Sequence, residues 1–209
     1  MPKPDFNLYL ITDRTQTNGR DLLWLLEQAL DAGVKAIQLR EKDLGGRDLF
    51  LLAEKVSNLC QSYRSALFVN ERIDIALAVN AAGVQLGNAS VPVALARQLL
   101  GAQKMIGLST HSLGEALAAQ QQGADFVLFG PVYFTPSKAT YGAPQGLNKL
   151  KEVVEKISLP VYAIGGIKPE NISDLRRLGV SGVALISAIM SSDAPKNATN
   201  DLLRMMGSG

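Results

Sequence analysis

Very little in this sequence could support redox or metal–thiolate chemistry. It has one cysteine, Cys60, and one histidine, His111. A single cysteine makes no intramolecular disulfide and no cysteine-rich zinc site, which fits a reducing, cytoplasmic setting. Within "VSNLCQSY" it reads as a small buried hydrophobe on a helix rather than as a nucleophile. No apolar stretch reaches the roughly 20 residues that cross a bilayer, so no membrane partner is expected. The opening "MPKPDFNLYLITDR" meets charge too early to read as a signal peptide. Charge of one sign is also scarce. Lys and Arg number 21 against 19 Asp and Glu, a net +2, and no broad field argues for nucleic acid. Linkers, low-complexity tracts and composition shifts are missing too. One domain over residues 1–209, with its core at about 8–193, is the expectation.

What is present is a rhythm. Short apolar runs recur at "LYLIT" (8–12), "AIQLR" (36–40), "ALFVN" (66–70), "GVQLG" (83–87), "MIGLS" (105–109), "DFVLFG" (125–130), "PVYAIGG" (160–166) and "GVALIS" (182–187). Each is too short for a helix, and continuous apolarity suits parallel strands covered on both faces. Between them lie segments with helical spacing. "DLLWLLEQALDAG" puts Leu22, Leu25, Leu26, Ala29 and Leu30 on one face and stops at Gly33. "SLGEALAAQQQGAD" opens on a Ser cap with Glu three residues later and closes at Gly123. "KPENISDLRRLGVSG" carries Pro169 near its start and Gly179 at its end. Eight strand–helix units predict an α/β fold, a (β/α)8 TIM barrel of eight parallel strands. An open doubly wound sheet would carry G-x-G-x-x-G after its first strand, and "LYLITDRTQTNG" has none.

Barrel chemistry sits at the C-terminal strand ends. "IGGI" (164–167) and "LIS" (185–187) each precede a helix. Adjacent backbone N–H groups there, approachable because of Gly165 and Gly166, suit a phosphate monoester. "QLREKD" (38–43) sets Gln38, Arg40 and Lys42 at alternate positions, aimed to one side, and suits a diphosphate. Thr135, Ser137 and Lys138 in "FGPVYFTPSK" face that basic group across the rim, so two anion sites share one mouth. After the third strand come Asn70, Glu71, Arg72 and Asp74. Glu71 is a candidate for holding Mg2+, and Arg72 with Asp74 reads as a structural pair. Lone His111 reads as a framework residue; Ser109 beside it either donates to a phosphate or completes the turn.

The ordered set "QLREK", "NERIDIA", "GVQLG", "GLSTHS", "FGPVYFTPSK", "AIGGI" and "LISAI" resembles the thiamine phosphate synthase family and its relatives, the thiazole tautomerases. The resemblance runs from about residue 8 to residue 193. It implies a transferase that couples hydroxymethylpyrimidine diphosphate to hydroxyethylthiazole phosphate, releasing pyrophosphate, with Mg2+ as cofactor and possible self-association. By similarity, Gln38, Arg40, Lys42 and Asn70 hold the pyrimidine diphosphate. Ser109, Thr135, Ser137 and Lys138 line the departing pyrophosphate and the thiazole site. Gly165, Gly166, Ile186 and Ser187 cradle the thiazole phosphate. Catalysis falls to Lys138, Ser109 and Arg40. Synthases usually carry Asn-Asp where this chain has Asn70-Glu71, and a second metal carboxylate where it has Ser90. Tautomerases typically carry Gly-His-Val where this chain has Gly130-Pro131-Val132. The alternatives are a tautomerase-like isomerase and a non-catalytic thiazole phosphate binder.

Overall fold

The protein is represented by a computed structural model that describes residues 3–135 and 142–207. Its centre is a closed barrel of eight strands, each parallel to its neighbours in chain order. The strands are β1 (Leu8–Ile11), β2 (Ala36–Leu39), β3 (Ala66–Asn70), β4 (Gly83–Leu86), β5 (Met105–Thr110), β6 (Phe126–Phe129), β7 (Val161–Ile164) and β8 (Gly182–Leu185). All eight expected strands are found, with ends displaced by no more than two residues.

The wrapping helices are α1 (Leu22–Asp31), α2 (Gly46–Ser62), α3 (Ile73–Ala78), α4 (Val93–Leu100), α5 (Leu113–Gln121), α6 (Gly146–Lys156), α7 (Ile172–Arg177), α8 (Ser187–Met190) and α9 (Pro195–Met206). Helix α1 begins where the Asp21 carboxylate accepts from Trp24 N–H at 2.9 Å, and it buries the expected five-residue face. Ser112 caps α5 as its sequence suggested, but Glu115 bonds the His111 N–H instead of closing back on Ser112. Pro169 opens a 3-10 turn at Pro169–Asn171, and α7 proper starts three residues later. Helix α9 buries Pro195, Thr199, Leu202 and Met206, past the expected core limit of about 193, and packs on α1.

Two apolar clusters divide the strand residues by parity. Leu8, Leu10, Ile37, Leu39 and Val69 face the helices, whereas Tyr9, Ile11, Phe68, Phe126 and Tyr162 fill the barrel. With the register followed around the barrel, inward residues form layers from alternate strands. Tyr9, Phe68, Gly107 and Tyr162 make one layer; Gln38, Gln85, Leu128 and Ala184 lie above it; Ile11, Asn70, Ser109 and Ile164 lie above those. Phe6 closes the N-terminal end, with Tyr9, Phe68, Phe126 and Tyr162 rings all within 5.9 Å of its own. An aromatic plug at one end and the polar side chains of Gln38, Gln85, Asn70 and Ser109 toward the other direct the barrel's chemistry to the C-terminal mouth.

Candidate active site

The floor of that mouth is set by strand parity. Gln38, Asn70 and Ser109 all project inward at its level or just beneath it. Arg40 shares the parity of Gln38 but lies beyond the end of β2, as does Lys42. Their placement therefore depends on a loop, and an unforeseen residue holds that loop. Glu41 is only 4% exposed. Its Oε1 accepts from Thr12 Oγ1 at 2.6 Å and its Oε2 from the Arg14 N–H at 3.1 Å. Thr12 Oγ1 in turn accepts from the Arg40 N–H at 3.0 Å, so one buried carboxylate ties the ends of β1 and β2. Arg14 also bridges Glu41 and Asp43 with its guanidinium. Burial pushes the Glu41 carboxyl above its usual range, against the pull of the two hydrogen bonds. The signal available in the sequence was parity: Glu41 falls on the opposite side from Arg40 and Lys42, and a carboxylate there needs partners.

Lys42, Asn70, Glu71 and Glu41 line a cleft of about 270 Å3 between the loops after β2 and β3. Glu71 occupies the left-handed region, φ 60°. The Ser90 hydroxyl donates to Glu71 Oε1 at 3.0 Å and accepts from the Gly87 N–H at 2.8 Å. The two positions that the family resemblance assigns to metal therefore meet in space. They bring one carboxylate and one hydroxyl, and no group of three His, Cys, Asp or Glu side chains gathers among the described residues. One carboxylate and one hydroxyl are oxygen donors of the kind a hard cation accepts, but too few to hold one without further oxygen ligands. Arg72 forms the expected structural pair with Asp74, Nε to Oδ1 at 2.9 Å, and holds that carboxyl below its usual range.

Across the mouth, Gly165 and Gly166 have φ of 94° and 66°. A Cβ on Gly165 would lie 2.5 Å from Pro131 Cβ, and one on Gly166 would lie 2.5 Å from the Phe134 carbonyl oxygen. The segment after β6 lies on them, with Val132 N–H donating to Ile164 O at 2.8 Å and Tyr133 N–H to Gly165 O at 3.0 Å. These glycines thus have a packing reason beyond any ligand. Among the described residues no hydrogen bond engages the N–H of Gly166 or of Ser187. Gly166 and Ile186 each lie two residues past the Ile164–Ala184 pair, just beyond the ends of adjacent strands. Thr135 is half-buried at the end of the described part of the loop after β6. Ser137 and Lys138 lie outside the described residues. His111 Nδ1 pairs with the Gly130 carbonyl, tying β5 to β6, the framework role expected of it.

The family model for thiamine monophosphate synthase matches residues 8–189. A Geobacter sulfurreducens protein, provisionally named a thiamine-phosphate synthase, is 50% identical over 99% of this chain and 97% of its own. The thiamine-phosphate synthase of Clostridium novyi is 44% identical over 95% of this chain and 97% of its own. Among solved structures, thiamine phosphate pyrophosphorylase from Pyrococcus furiosus superposes with a TM-score of 0.88 at 36% identity, covering 96% of this chain and 95% of that one.

Proposed function

We infer that this chain, which belongs to the thiamine monophosphate synthase family, is a thiamine-phosphate synthase, a transferase of thiamine biosynthesis. Its substrates are hydroxymethylpyrimidine diphosphate and hydroxyethylthiazole phosphate. The reading is supported above all by one observation: Gln38, Asn70 and Ser109, from three different strands, project inward toward the open end of a barrel plugged at the other, and Arg40 follows Gln38 just past the end of its strand.

The chemistry asks for charge neutralisation more than for a base. The C–O bond from the pyrimidine methylene to the diphosphate breaks, and the thiazole nitrogen supplies the electron pair of the new C–N bond. No proton is transferred, and the negative charge leaves with pyrophosphate. Arg40, Lys42 and Lys138 are the cations assigned to that charge, and Ser109, Thr135 and Ser137 the hydroxyl donors. Fixed donors aimed at a developing anion are commonly the largest catalytic contribution. Mg2+, when bound with the diphosphate beside Glu71 and Ser90, would neutralise further charge on the leaving group. Gln38 and Asn70 orient the pyrimidine end. The N–H groups of Gly165, Gly166, Ile186 and Ser187 seat the thiazole phosphate. Purified protein given both substrates and Mg2+ should form thiamine phosphate and pyrophosphate in equal amounts. Failure to form product at saturating concentrations of both would overturn the reading.

A further inference from the structure

The layer beneath the floor contains a polar residue to which the reaction above gives no role. Gln85, inward on β4, is 1% exposed, and a buried amide in a barrel interior needs partners. Its Nε2 donates to Ser109 Oγ at 3.1 Å, with a longer contact of 3.4 Å to the Leu86 carbonyl. Its Oε1 is buried without a hydrogen-bond partner. Room for that oxygen is made by Gly107, where a Cβ would fall 2.3 Å from Gln85 Oε1 and 2.4 Å from the Phe126 ring. The amide is thus held from below by a missing side chain and committed upward to one hydroxyl.

We propose that Gln85 is a positioning residue that sets the direction of the Ser109 hydroxyl proton. A serine hydroxyl has one hydrogen and two lone pairs. With Gln85 Nε2 donating into one lone pair, Ser109 Oγ is fixed as an acceptor on its buried side. Its own hydrogen then turns away from Gln85, toward the mouth. Ser109 makes no other side-chain hydrogen bond among the described residues. It reaches the substrate as a pre-aimed donor to the departing diphosphate, with no reorientation needed as charge develops. The proposal rests on the transferase reading and adds the device that orients one of its donors.

The test is a double-mutant cycle between positions 85 and 109, read in kcat and in both KM values. Gln85→Met keeps the length of the side chain and removes the donor. Gln85→Glu keeps the shape and reverses the polarity, since a carboxylate accepts from Ser109 and draws its proton inward. The expected result is a kcat lowered about 10-fold by Q85M and about 100-fold by Q85E, with KM for thiazole phosphate unchanged. Both losses should vanish on a Ser109→Ala background, where no proton remains to aim. Losses of equal size with and without Ser109, or equal losses in the two variants, would reduce Gln85 to core packing and overturn the proposal. Q85E supplies the cycle by itself should Q85M fail to fold. A wild-type protein without turnover would instead remove the transferase reading.

Discussion

Ser90 Oγ donates to Glu71 Oε1 across 3.0 Å, joining the loops after β3 and β4 at the rim of the mouth. Two residues 19 apart in sequence therefore meet where the proposed function puts a divalent cation. Ser90→Asp sets a second carboxylate against Glu71. Like charges at that separation repel, so the variant should be less stable than wild type without metal, by about 1 kcal/mol. Added Mg2+ should reverse the deficit, and half-maximal activity should need about 10-fold less Mg2+. Thermal unfolding with and without Mg2+ measures the first effect and a metal titration of activity the second. An unfolding midpoint indifferent to Mg2+ in S90D would show that this pair is not a cation site.

Glu41 offers a test through pH. Its carboxyl is raised mainly by burial, so the folded chain holds that proton more tightly than the unfolded chain does. The stabilising contribution is complete below the ordinary glutamate range and is lost as pH rises through the higher folded-state value. Gln at position 41 cannot ionise and lacks this dependence. Wild type should lose stability relative to E41Q as pH rises from below the ordinary glutamate range to well above it, a difference readable from paired denaturation curves. Parallel curves across that interval would mean that burial does not govern this group. Glu41→Ala is a harsher change. It strands the buried Thr12 hydroxyl and the Arg14 N–H, for roughly 1–3 kcal/mol, and frees Arg40, so KM for the pyrimidine diphosphate should rise.

Which parts were legible beforehand follows from what each depended on. Strand parity and helix faces are local, so the eight strands and the Leu22–Leu25–Leu26–Ala29–Leu30 face of α1 could be read directly. The inward parity of Gln38, Asn70 and Ser109 is local in the same way. Glu41 and Gln85 were not, because each matters through a partner on another segment: Thr12 and Arg14 for the first, Ser109 and the gap at Gly107 for the second. Likewise the paired glycines were read as ligand contacts, and their close approach to Pro131 and Phe134 needed three dimensions.

Gly166→Ala should separate those two duties. The left-handed φ of 66° carries a penalty of about 1–2 kcal/mol for a residue with Cβ. The 2.5 Å approach to Phe134 O also forces the loop after β6 to shift. The expected outcome is a lowered unfolding midpoint together with a KM for thiazole phosphate raised at least several-fold, while KM for the pyrimidine diphosphate changes little. If both KM values rise in proportion, the glycines serve the scaffold and not a particular phosphate.

Cys60 should be inert in the native protein. Burial pushes its thiol up to about 12, so almost no thiolate exists at neutral pH. A thiol reagent should modify the chain at the rate of unfolding and no faster. Labelling that follows reagent concentration under native conditions would show an open path to α2.

His111 separates the transferase from an isomerase that moves protons. Its Nδ1 is engaged by the Gly130 carbonyl, and its backbone N–H donates to Glu115 Oε2 at 2.8 Å, contacts that fix the turn between β5 and α5. A Gln side chain at this position carries an amide N–H able to bond the Gly130 carbonyl, yet it cannot titrate. His111→Gln should therefore keep thiamine phosphate formation within about 3-fold of wild type. Its kcat should follow the same pH dependence between about 5 and 8, the interval in which imidazole ordinarily changes charge. A proton-transfer role predicts the opposite: a limb of the profile disappears and kcat falls by 100-fold or more. Because the C–N bond forms from a nitrogen lone pair as diphosphate departs, the transferase has no proton for His111 to move, and the two profiles should coincide.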